Sequence, residues 1–132
     1  MQRKTFLTLA SLVPMLVGAL ALLSPAVLLV VVKGAETNGA AEVMARTVGV
    51  LLACVGVVTF LSRHDPGSTA LRAVLIGNLV LQLALLPIDP IAYATGVFVG
   101  LGSFVPNTLL HVGLAGAFAY YLRAMPQVAE RA

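Results

Sequence analysis

Residues 6–23 read FLTLASLVPMLVGALALL, an apolar run without one charged side chain. A helix rises about 1.5 Å per residue, so crossing roughly 30 Å of hydrocarbon takes about 20 such residues. The flanks fit a span. Arg3 and Lys4 precede it. Ser24-Pro25 follows it, and a proline pushes the residue before it out of helical geometry. A basic start followed by an apolar stretch is also the pattern of a secretory signal. Here the chain stays apolar beyond Ser24 as far as Val32, so the run reads as a first membrane span and not as a leader.

Working outward, three more spans follow. Residues 26–32 are a short apolar piece ending at Lys33-Gly34, read as a kinked extension of the first helix or a segment in the interface. GAETNGAA at 34–41 is the first polar connection. The second span covers about 45–62, between Arg46 and Arg63-His64-Asp65. Pro66-Gly67 marks a turn, and Ser68 or Thr69 can cap the next helix. The third span covers about 70–88, closed by Pro87 and Asp89-Pro90. The stretch 91–122 is too long for one straight span and is broken by Gly100, Gly102 and Pro106. A loop or re-entrant piece is expected first, then a fourth span over about 97–122, kinked at Pro106. A short polar tail, 124–132, closes the chain. The fold expected is all-α: a four-helix membrane bundle in one transmembrane domain, 1–132, with 24–41 as a broken apolar piece and outer loop.

Composition agrees. The 132 residues are 60% hydrophobic and 10% charged, where soluble domains carry roughly 25% charge. So few charges cannot cover a soluble domain, and lipid on the outside removes the difficulty. The net charge of +3 forms no basic patch, because Lys and Arg sit singly at the ends of apolar runs, so no nucleic-acid partner is expected. Cys54 is the single cysteine, read as a small core residue. No CxxC pair, His/Cys cluster or carboxylate pair points to a metal, and no motif names a cofactor.

Four spans place both termini on one side. That side carries Arg3, Lys4, Arg63, Arg72, Arg123 and Arg131, and the other carries Lys33 and Arg46. Positive charge is retained in the cytoplasm, so both termini are expected there, in a multi-pass protein of the bacterial inner membrane. Small residues recur at helical spacing in the second span (Gly49, Ala53, Gly56) and the fourth (Gly113 with Ala117, Gly116 with Tyr120). Such stripes let helix backbones approach closely in lipid. They are read as packing within the chain, with a homo-oligomer as the alternative use. Tyr93, Tyr120 and Tyr121 suit the aromatic belts at the two interfaces.

Polar side chains at membrane depth are costly, so they usually face the bundle interior and mark function. Asn78, Gln82 and Asp89 fall within about 40° on one helical projection. Asn107 and His111 share a face of the fourth span, and Glu42 lies one turn before Arg46. Gln82 and His111 each lie eleven residues, roughly 16 Å, from the cytoplasmic ends Leu71 and Leu122. The pattern predicts an outward-opening cleft with an Arg46–Asp89 or Glu42–Arg46 ion pair at its mouth and Gln82 and His111 at its floor. Arg46, Asn78, Gln82, Asn107 and His111 are the candidate ligand-binding residues. Each has a structural alternative. Asn78 and Gln82 can bond helix to helix, Arg46 can snorkel, Asp89 can cap a helix, and His111 can be satisfied by Asn107 or a carbonyl.

The order of features resembles that of DoxX-like small four-helix bacterial membrane proteins. The segments carrying the resemblance are Ser24-Pro25, ARTVG at 45–49, ALRAVLIGN at 70–78 and NTLLH at 107–111. It spans most of the chain at the level of hydropathy and a few polar positions. It implies a four-helix bundle and, for some members, service as a membrane subunit in quinone-dependent oxidation. It transfers no cofactor-binding residue. Small four-helix drug/proton antiporters fit less well, because they need an acidic residue in the first membrane helix and residues 6–32 contain none.

Three functions are therefore weighed. The first is binding of a lipophilic small molecule, quinone-like or isoprenoid-like, in the cleft, alone or as an accessory to another membrane protein. The second is an intramembrane isomerase or cyclase with His111 as general acid or base, assisted by Asp89 or Glu42. The third is a purely structural partner subunit. The orientation is tested with C-terminal reporters: a green fluorescent fusion is expected to fluoresce and an alkaline phosphatase fusion to be inactive, and the reverse pattern would overturn it.

Overall fold

The computed structural model of the chain describes residues 2–125. It is all-α, with helices α1 (Arg3–Leu23), α2 (Gly39–Leu61), α3 (Thr69–Leu85), α4 (Ile88–Ala94) and α5 (Val105–Arg123). Four segments, Arg3–Leu23, Gly39–His64, Thr69–Ala94 and Leu101–Arg123, are long and apolar enough to cross a membrane. Leu16, Leu61 and Leu109, among many others, turn outward. That surface suits lipid, as in a small multi-pass membrane protein. Arg131, used in the charge count, lies outside the described residues.

Local chemistry explains the boundaries. α1 is rich in Leu and Ala and stops at Ser24, whose N–H still reaches the Leu20 carbonyl at 2.8 Å. After Pro25 the chain resumes as a wide-turned π-helical segment, Val27–Val32, in which the Lys33 N–H bonds the carbonyl five residues back. α2 starts earlier than the hydropathy boundary at 45. Asn38 Oδ1 accepts the Ala41 N–H at 2.9 Å, and Glu42 sits in the first turn, where the helix dipole favours an anion. Half of the polar stretch 34–41, from Asn38 onward, is thus cap or helix. α3 ends at Leu85, but Leu86 and Pro87 keep helical dihedrals, so α4 continues it after a jog.

Pro106 does not kink the fourth span. It occupies the first turn of α5, where its missing N–H has no partner to lose. The break lies earlier. Gly100 has φ +85°, a region open to glycine, and a single 3-10 turn, Leu101–Ser103, leads into α5. Within the span expected over 97–122, the α-helix therefore begins at Val105. Cys54 is exposed on α2, not in the core.

The helices associate as two pairs. α1 and α2 cross with their backbones nearly touching. A Cβ added at Gly18 would stand 2.6 Å from the Gly49 carbonyl oxygen, and one added at Gly49 would stand 2.7 Å from that of Gly18. Ala53 and Gly56 continue the contact along α2 against Gly18, Ser11 and Met15. This stripe packs within the chain. The glycines of α5 differ, for added Cβ atoms at Gly113 and Gly116 would meet nothing within 4 Å. α5 instead pairs with α3.

The two pairs share an apolar core at one end. There Phe6, Leu7 and Ala10 of α1 pack with Leu71 and Leu75 of α3, Phe118 of α5 and Met125. The Phe6 ring meets Phe118 edge-on at 4.9 Å and stacks on Tyr121 at 4.7 Å. The 62–68 turn seals the same end. Asp65 Oδ1 accepts the Gly67 and Ser68 N–H groups and Oδ2 the Ser68 hydroxyl, while Ser68 caps α3 through the Leu71 N–H. Arg3 donates to the Asp65 carbonyl.

Two predictions follow from this packing. Gly49→Leu, which drives a side chain into backbone, is expected to destabilise the fold by about 1–3 kcal/mol or more. Gly113→Leu is expected to stay within about 0.5 kcal/mol. Thermal unfolding in nanodiscs measures both, and equal losses would contradict the crossing. The second concerns Asp65, whose carboxyl is held below its ordinary range by the Ser68 hydroxyl first and then by the Gly67 and Ser68 N–H groups. A depressed carboxylate stabilises the fold above its unfolded value and loses that contribution as pH falls through its folded value. The stability gap between wild type and Asp65→Asn should be flat at neutral pH and close below about pH 4. A gap that widens on acidification would be the contrary result.

Candidate functional site

Toward the other end the helix pairs part and leave a cavity of about 450 Å³. One wall is apolar: Val13, Pro14 and Val17 of α1, Met44, Val48 and Leu52 of α2, and Leu28 and Leu29 of the π-helical segment. The other wall, from α3, α4 and α5, carries a polar stripe among leucines: Gln82, Asp89, Asn107 and His111, with Leu81, Leu85, Leu110 and Leu114. Lys33 joins the lining from across the mouth, where its ammonium lies 5.3 Å from the centre of the Phe98 ring.

The polar groups form one continuous chain. Lys33 Nζ donates to Asp89 Oδ2 at 2.5 Å, and both side chains are largely withdrawn from solvent. Asn107 Nδ2 donates to the same carboxylate oxygen at 2.7 Å. It also approaches His111 Nε2 at 3.1 Å, and His111 Nδ1 approaches Gln82 Oε1 at 2.5 Å. The carboxylate decides every proton. It can only accept, so it must face the Asn107 amide nitrogen and not the carbonyl oxygen. That nitrogen's second hydrogen points at His111 Nε2, which must accept. Nδ1 then carries the proton and gives it to Gln82 Oε1, so the ring is the Nδ1–H tautomer.

The elements explain the convergence. The π-helical segment lines the cavity with Leu28 and Leu29 and ends at Lys33, which reaches Asp89. The jog after Leu85 brings Asp89, in the first turn of α4, to face it. Asn107 sits in the first turn of α5 and His111 one turn deeper, on the face toward Gln82 of α3.

Of the residues expected from sequence, Gln82, Asp89, Asn107 and His111 come together here. Asn78 does not. It is buried on the neighbouring face of α3, where its amide donates to Thr59 Oγ1 of α2 and to the Val74 carbonyl, both at 2.9 Å. It borders a separate groove of about 560 Å³ between α2 and α3. Arg46 does not line the cavity either. It pairs with Glu42 at 3.6 Å on a well-exposed stretch of α2. Of the two alternative ion pairs expected at the mouth, neither stands there: Glu42 and Arg46 pair away from the cavity lining, and Asp89 takes Lys33 in place of Arg46. Lys33 is the residue that sequence reading missed. Its signal was a lone cation closing an apolar run on the side with few cations. Among the described residues no group of His, Cys, Asp and Glu could hold a metal ion.

No protein-family model, curated protein or solved structure matches this chain, so the likeness to DoxX-like proteins has no support beyond the segments quoted above.

The ion pair gives a direct test. Lys33→Met strands a buried carboxylate and is expected to cost about 3–5 kcal/mol. Lys33→Met combined with Asp89→Leu removes both charges and should recover a good part of that loss. Thermal unfolding of the single and double variants reads the difference. A double variant as unstable as the sum of its singles would contradict the pairing.

Proposed function

We propose that this small multi-pass membrane protein binds a lipophilic molecule in the cleft between its two helix pairs, acting alone or as an accessory subunit of a larger membrane assembly. The observation that carries this reading is the pairing of an apolar cavity of about 450 Å³ with one convergent line of polar groups along its wall. Ligand sites have that composition: apolar walls for affinity and a few placed polar groups for orientation. A purely structural subunit has no need of the open space. The histidine–glutamine bond would hold α3 to α5 with the cavity filled by larger side chains.

An acid–base enzyme draws less support from the same geometry. Asp89, the second titratable group it would use, reaches His111 only through Asn107. The excess of Lys and Arg at the end bearing the N-terminus supports a cytoplasmic placement of both termini, with the cleft opening away from the cytoplasm.

Native mass spectrometry from nanodiscs tests the binding reading, with wild type beside Ala45→Phe, which fills the cleft from α2 without touching the polar chain. A discrete non-phospholipid adduct on wild type that Ala45→Phe lacks is the expected result. Bare protein in both samples, or an adduct indifferent to Ala45→Phe, would overturn it.

A further inference from the structure

The hydrogen bonds left unused along the cleft narrow the class of ligand. Among the described residues, Asp89 Oδ1, Asn107 Oδ1 and the Gln82 amide nitrogen have no protein partner, although their side chains border the cavity. Asp89 and Gln82 are buried. Two acceptors and one donor therefore face the space. Among the described residues, the charges lining the cavity are Lys33 and Asp89, which neutralise each other at 2.5 Å.

We infer that the ligand is a neutral single-chain amphiphile whose head is a hydroxyl group, a long-chain or isoprenoid alcohol in chemical class. This rests on the cleft reading above. A hydroxyl both donates and accepts, so without a charge of its own it can use either kind of open group along the wall, giving its hydrogen to Asp89 Oδ1 or Asn107 Oδ1 near the mouth or accepting from the Gln82 amide deeper in. A carboxylate or phosphate head brings a net negative charge beside Asp89 and finds Lys33 already taken. An ammonium head brings a positive charge beside Lys33 and finds Asp89 already taken. In a low-dielectric cleft each mismatch is a strong penalty, so the ion pair selects against charged lipids as well as closing the mouth. An alkane accepts none of the three open hydrogen bonds.

Three probes share one chain and differ only in the head: oleyl alcohol, oleate and oleylamine. Each is added to nanodiscs at equal mole fraction, and bound fractions are read by native mass spectrometry. Wild type is expected to retain oleyl alcohol roughly tenfold or more over either charged probe, with retention lost in Ala45→Phe. Asp89→Asn leaves the Lys33 cation uncompensated and should invert the order in favour of oleate. Wild type retaining oleate or oleylamine as well as the alcohol, through a site that Ala45→Phe closes, would overturn the hydroxyl inference and leave the cleft reading standing. No probe retained, or retention indifferent to Ala45→Phe, would overturn both. If Asp89→Asn does not fold, the wild-type order alone decides.

Discussion

The pairing of Lys33 with Asp89 holds the open end of the bundle in shape. Each charge alone at that depth would be expensive, and neither helix pair could present it to lipid. Together they tie the π-helical segment after α1 to the short helix α4, which otherwise share little. The tie gives the cavity a mouth. It also propagates inward, because a carboxylate that only accepts fixes the Asn107 amide, the amide fixes the His111 tautomer, and the ring fixes Gln82. One ion pair thereby orients three further side chains on two helices.

The space behind that mouth follows from how the two helix pairs are made. Lipid offers no hydrophobic drive for helices to associate, so they hold by close packing or by hydrogen bonds. α1 and α2 use close packing, with glycine backbones almost in contact. α3 and α5 use a histidine–glutamine bond and, at the far end, the packing of Leu71 and Leu75 with Phe118. Among the described residues the pairs are joined to each other by the apolar core at the end bearing the N-terminus, by the bond from Asn78 to Thr59 and, at the mouth, by the Lys33–Asp89 pair. Bulk is concentrated at one end and polar order along one wall, and the volume between is left open.

Much of this was legible in the chain, for identifiable reasons. The spans were readable because hydropathy and length suffice for a helix in lipid. The Gly49, Ala53 and Gly56 stripe was readable because small residues at helical spacing admit a close neighbour. The meeting of Gln82 with His111 was readable because both lie at the same depth and neither can be left to hydrocarbon. What failed depended on long-range geometry or on caps. Lys33 reaches Asp89 across 56 positions of sequence, a meeting that no local pattern encodes. Asn78 and Gln82 are one turn apart, and a rotation of about 40° is enough to send them to different neighbours. Asn38 started α2 inside a polar stretch that reads as loop. Pro106 read as a kink because its place in the first turn of α5 depends on the Gly100 turn before it. Gly113 had the spacing of a packing stripe and no helix opposite.

The measurement that bears most directly on the buried polar chain is nitrogen-15 NMR of the histidine ring in lipid bilayers at neutral pH. The chain has two histidines, so His64→Gln, a change at an exposed turn position, leaves His111 as the sole signal. The ring is expected to carry its proton on Nδ1, with Nε2 unprotonated and accepting from Asn107, and Asp89→Leu should release that preference. A ring protonated on Nε2 alone, or on both nitrogens, would contradict the hydrogen-bonded line from Lys33 to Gln82 and the cleft built upon it.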